Sequence, residues 1–107
     1  GYTRADQTAR LDEALVLIKR ALALLPEDPF ILDSMGWVHY RLGNNDLARE
    51  YLQKAIGLRL DAEIAAHLGE VLWMDGERDQ ARTVWQRGHE NDPDNSVLRE
   101  TLRKFEP

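Results

Sequence analysis

The chain has 107 residues, 43% of them hydrophobic and 31% charged, with a formal net charge of −5. That length allows one domain, and that composition suits a folded, water-facing chain rather than a disordered one. Clustered Lys and Arg are missing, so nucleic acid is excluded as a partner; no Cys is present, which removes disulfides, thiolate zinc sites and a cysteine nucleophile.

The apolar run ALVLI, Ala14 to Ile18, is too short to cross a bilayer. It sits in a stretch read as a helix over about 9–25, where Ala14-x-x-x-Ile18-x-x-Ala21 closes at Pro26. Asp28-Pro29 then supplies an N-cap followed by a proline at a first helical position, opening a helix over about 30–42. Leu32, Met35, Gly36 and His39 fall at i, i+3, i+4, i+7 on one face of it. Gly43 suits the left-handed residue that ends a helix. The next helix, about 46–58, repeats the first pattern as Ala48-x-x-x-Leu52-x-x-Ala55.

Thirty-three residues after Met35 the text returns: Leu68-Gly69, Gly76, then Ala81-x-x-x-Trp85-x-x-Gly88, closing at Pro93. This gives helices over about 62–75, capped by Asp61, and 79–91. The small residues, Gly36 against Ala48 and Gly69 against Ala81, are expected to let antiparallel helices approach closely. A last helix, about 95–105, carries Leu98, Leu102 and Phe105 on one stripe and charge elsewhere, as a cover for an open stack does.

These spacings resemble the tetratricopeptide repeat, a helix–turn–helix unit of about 34 residues, across roughly residues 9–93. Leu60 stands where that family places a closing proline, Gly88 replaces its late alanine, and Asn45 and Arg78 replace a turn aromatic. The resemblance implies an all-α fold, a right-handed superhelical stack of antiparallel helix pairs with a C-terminal capping helix. A partial repeat (1–28), repeats 29–61 and 62–94, and a cap (95–107) are expected. Gly1-Tyr2 reads as the tail of an earlier helix, so residues 9–25 are expected to expose a face that a preceding helix would bury, a route to self-association.

More narrowly, RLDEAL, LDSMGWVHYRLG, DAEIAAHLGEVLW and LRETLRKFEP are similar to the C-terminal end of bacterial outer-membrane tetratricopeptide lipoproteins of the LbcA type. That likeness implies a periplasmic scaffold, anchored through a lipoprotein N-terminus, that binds a carboxy-terminal processing protease.

In tetratricopeptide arrays the first helices of successive repeats line a concave groove. The matching positions here are Phe30, Asp33, Trp37, Tyr40 and Arg41, then Glu63, Ala66, Glu70, Trp73 and Met74. Trp37 and Trp73 either anchor a bound segment or pack between repeats, and Tyr40 is expected to be half-buried. Arg41 alone cannot form the basic clamp that holds chaperone tails. The expected function is non-catalytic binding of a peptide or helix of a partner protein; the alternative is a purely structural segment that stacks on the rest of a larger protein.

Chemistry has little footing. Ser34 and Ser96 lack a nucleophile elbow, and no glycine-rich phosphate loop occurs. Glu63, His67 and Glu70 fall at i, i+4, i+7 but lack ligands from a second helix, so a solvated row is expected rather than a metal site. Asp75, Glu77 and Asp79 surround a misplaced glycine, and Gln86 stands where a calcium loop needs glutamate. No enzyme activity, metal or cofactor is expected.

Overall fold

A computed structural model describes residues 4–106. The expected helix tail at Gly1-Tyr2 lies outside the described residues. Six helices follow one another: α1 (Arg4–Leu24), α2 (Pro29–Arg41), α3 (Asn45–Leu58), α4 (Ala62–Met74), α5 (Arg78–Asn91) and α6 (Ser96–Phe105). No strand occurs among the described residues. The helix α1 starts well before the expected residue 9. Its first turns, from Arg4 to Arg10, carry no proline or glycine, and Thr8 Oγ1 donates to the Arg4 carbonyl at 3.0 Å. Such a segment continues a helix without needing a core to cover it.

The starts and stops have local causes. Asp28 accepts from the amides of Phe30 and Ile31, and Asp61 from those of Glu63 and Ile64, satisfying the orphan donors of α2 and α4. Gly43 and Gly76 take φ of 89° and 87°. After α2 the Asn44 amide bonds to the His39 carbonyl at 2.8 Å and the Gly43 amide to that of Tyr40 at 3.0 Å. After α4, Glu77 to Leu72 and Gly76 to Trp73 repeat those two bonds at the same lengths. Both turns therefore end in the same glycine-dependent closure, and each sends the next helix back antiparallel.

The helices α2 and α3 form one pair and α4 and α5 the next, with α6 packed on α4 and α5. Gly36 is the close-approach point of the first pair: a Cβ there would lie 2.7 Å from Leu52 Cγ and 3.0 Å from the Ala48 carbonyl oxygen. At the repeat-equivalent place the second pair differs from expectation. The atoms nearest to a Cβ at Gly69 all belong to the indole of Trp85, which stands where the first pair has Leu52. Trp85 is 1% exposed, and its Nε1–H donates to the Ala66 carbonyl at 3.3 Å. Burying a ring of that size without leaving its one polar atom unpaired is what makes it admissible in the core.

The cap follows the same logic. Leu98 and Thr101 are buried and Leu102 and Phe105 half-buried, while Arg99, Glu100, Arg103 and Lys104 face water. Asn95 caps the start through the Leu98 amide at 3.0 Å. At the other end, α1 buries none of its side chains fully. Ala14, Ile18 and Ala21 are half-exposed, whereas their repeat equivalents Ala48, Leu52 and Ala55 are fully buried in the core, where α3 packs on both α2 and α4.

Candidate functional site: the face formed by the first helices

The three first helices of the stack lie side by side: α2 touches α4 and α4 touches α6. At 100° per residue, the outward stripe of α2 carries Phe30, Trp37 and Arg41, and that of α4 carries Glu63, Glu70 and Met74. Asp33 and Tyr40 turn from α2 toward α4, and Trp73 turns from α4 toward α6.

The seam between α2 and α4 is polar and closed. His67 Nδ1–H donates to Asp33 Oδ1 at 2.8 Å, and Asp33 is buried. The Trp37 indole stacks on the His67 ring, with centroids 4.1 Å apart and planes 23° from parallel. Tyr40 tilts against Trp37 at 5.1 Å, and its hydroxyl donates to the Glu70 carboxylate. Burial first, then the Glu70 charge and hydrogen bond and the Asp75 charge, hold the Tyr40 hydroxyl far above the ordinary phenol range. Four side chains of α2 and α4 thus fix one another, leaving Trp37 half-exposed in the middle.

The remaining expected residues lie apart from that cluster. Phe30 stands exposed at the start of α2 under the Arg59 guanidinium, 5.5 Å from its centroid. Arg41 leans toward α1, beside a small cleft shared with Gln7, Arg10 and Leu11. Met74 is 58% exposed. The Trp73 ring packs on Trp85 at 5.6 Å and Phe105 at 5.9 Å, under Arg78 at 4.7 Å and Arg82 at 5.5 Å. Its aromatic partners therefore belong to α5 and α6, and it ties the cap to the second pair. Arg82 is itself held by Glu106, whose two carboxylate oxygens share its Nε–H at 3.0 Å.

The sequence reads His67 as part of a solvated row, and the structure corrects that reading: it is half-buried between Asp33 and Trp37. Its row with Glu63 and Glu70 is visible in the sequence, but its partner is one carboxylate 34 residues earlier rather than a metal. A helix-interior aspartate on a face that must pack, one repeat before a histidine, is the available signal. Among the described residues no three His, Asp or Glu side chains group closely enough to hold a metal ion, and no helix is long and apolar enough to cross a membrane.

No protein-family model matches the chain. It is 54% identical over 70 residues to a tetratricopeptide-repeat-containing protein of Pseudomonas aeruginosa, a match covering 65% of this chain and 12% of that protein. The chain therefore corresponds to a small part of that relative's length. Among solved structures, a thermophilic tetratricopeptide-repeat protein of Thermus thermophilus superposes with a TM-score of 0.84 at 26% identity, over 97% of this chain and 54% of that one. The first tetratricopeptide domain of Spaghetti, solved with the HSP90 peptide SRMEEVD, superposes with a TM-score of 0.78 at 20% identity, over 92% and 79% of the two chains. The fold is the tetratricopeptide solenoid, and these relatives support placing the chain in that repeat family.

Proposed function

We propose that this segment is a protein-binding scaffold whose concave face, built by α2, α4 and α6, receives a peptide or helix of a partner. The observation that carries the reading is Trp37: a large indole, half-exposed, with one face seated on an imidazole that Asp33 holds in place. An aromatic side chain already fixed before binding loses little further entropy when a partner covers it. The tetratricopeptide structure bound to a short HSP90 peptide supports the general use of this fold. The basic clamp for such an acidic tail is not matched on α2 and α4, whose outward stripes hold Trp37 and Glu70 instead.

The finer reading names the partner as a periplasmic carboxy-terminal processing protease and the parent as an outer-membrane lipoprotein. Its support is the likeness of RLDEAL, LDSMGWVHYRLG and LRETLRKFEP to that lipoprotein type. The test is binding of a purified protease of that class to the wild type, Trp37→Ala and Leu17→Glu. Loss in Trp37→Ala alone, with equal helicity by circular dichroism, fits the proposal; equal binding by all three contradicts it.

One observation favours a second reading, in which this segment chiefly stacks on another helix or on a second copy. Val16, Leu17 and Leu24 of α1 are 51%, 63% and 81% exposed, and Ala14, Ile18 and Ala21, whose equivalents on α3 are buried, are only half-covered. Under that reading Leu17→Glu, not Trp37→Ala, removes the association.

A further inference from the structure

Positions 37, 70 and 103 are separated by thirty-three residues each, one repeat period, and so occupy the same place on α2, α4 and α6. Their side chains form a row across the concave face, and the row changes chemistry at each step: Trp37, Glu70, Arg103. Trp37 offers an aromatic surface. Glu70 uses one hydrogen bond on Tyr40 and keeps further acceptor capacity, because a carboxylate can accept about four. Arg103 is exposed in the last turn of α6, and no salt bridge holds it among the described residues.

We infer that this row selects a segment in the polyproline II conformation that bears an apolar, then a basic, then an acidic side chain, each three residues from the last. The spacing follows from two dimensions. Neighbouring helix axes lie about 8–10 Å apart, and three residues of a polyproline II chain complete one turn of about 9 Å, which brings the side chain back to the same face. A segment crossing the three helices therefore meets one row position every third residue. The charges follow from complementarity: a cation opposite Glu70 and an anion opposite Arg103 are attracted, while the exchanged order sets like charges together at both places. Arg41 does not spoil the pattern, since it leans toward α1. The inference rests on the concave-face reading above and adds the chemistry of the occupant.

The probes are the peptide FAARAAE, its reversed sequence EAARAAF, and the charge-exchanged control FAAEAAR. The readout is the indole N–H resonance of Trp37, assigned by comparison with Trp37→Phe, titrated at low and high salt. The expected result is a saturable shift with FAARAAE or with EAARAAF, weakened by salt, and binding about tenfold tighter than FAAEAAR. Arg103→Glu, a change on an exposed site that leaves the core untouched, is expected to move the preference to FAARAAR by a similar factor. Equal binding of the matched and exchanged peptides, an unchanged preference in Arg103→Glu, or no saturable shift with any probe overturns the inference. If these fail while Trp37→Ala still abolishes protease binding, the concave-face reading stands and the row chemistry alone is wrong.

Discussion

His67 Nδ1 and Asp33 Oδ1 meet at 2.8 Å across the seam of two successive repeats, 34 residues apart in the chain. Neither side chain is on the surface that a helix pair buries within itself. Their bond joins α2 to α4, and Trp37 lies flat on its imidazole end. The polar pair thus serves packing and the candidate site together. Removing one partner leaves the other buried without its bond, so Asp33→Ala or His67→Ala is expected to cost about 1–3 kcal/mol. A double-mutant cycle read by urea unfolding is expected to return a coupling of at least about 0.5 kcal/mol. Additive effects would mean that the two side chains stabilise independently.

Glycines separate into crowded and open sites. Gly69 lies under Trp85, so Gly69→Ala is expected to destabilise by about 1–3 kcal/mol through overpacking. Trp85→Leu, which restores the residue of the first pair, is expected to recover part of that loss in the double variant. Gly57, within α3, has no neighbour where a Cβ would stand. Gly57→Ala is therefore expected to stabilise by up to about 1 kcal/mol. Opposite shifts in urea midpoint for the two alanine variants are the check.

His39 gives the fold a pH dependence. It is buried, stacks on Tyr51 at 5.7 Å, and its Nδ1 accepts from Asn44 Nδ2 at 3.2 Å. Burial first, then the Lys19 charge, lowers its pKa below the ordinary value of 6.5. The unfolded chain then binds the proton more readily than the folded one, so stability is full above pH 6.5 and falls as pH drops from 6.5 toward the lowered folded value. The slope from this group reaches at most about 1.4 kcal/mol per pH unit. His39→Gln is expected to lose less stability than wild type between pH 7.5 and 5.5; equal losses would contradict the assignment.

The two tryptophans at matching expected roles should part company. Trp73→Ala opens the cluster with Trp85 and Phe105 and is expected to cost about 3–5 kcal/mol, with increased hydrogen exchange in α6. Trp37→Ala removes a half-exposed ring and is expected to cost less, leaving α6 protected. Equal exchange in α6 for both variants would contradict this division.

Much of this architecture is legible in the text of the chain, because local chemistry and global packing agree there. Asp28, Asp61, Gly43 and Gly76 mark the turns they form, and the Ala48, Leu52, Ala55 stripe marks a buried face. The early start of α1 is not legible, since its first turns carry no apolar period. Nor is the partner of Gly69, which depends on the size of one residue, Trp85, on the facing helix. The sequence leaves the division between Trp37 and Trp73 open for a similar reason. Both lie on the first-helix stripe, but Trp73 is turned about 60° from Trp37's position, toward α6, at 100° per residue, and Trp85 with the cap's Phe105 decides what it meets. The role of His67 is not legible either, because it lies in a contact between repeats, which a one-helix period does not reveal.

The most direct test of the account is which face the partner touches. A photoreactive benzoylphenylalanine at position 74, in place of exposed Met74 on the concave stripe, is compared with one at position 47, in place of exposed Leu47 on α3. Each is irradiated with a purified carboxy-terminal processing protease, the partner proposed above. The account predicts a crosslinked product from position 74, absent when Trp37→Ala is added, and none from position 47. Crosslinking from position 47 alone would place recognition on the second helices and contradict it.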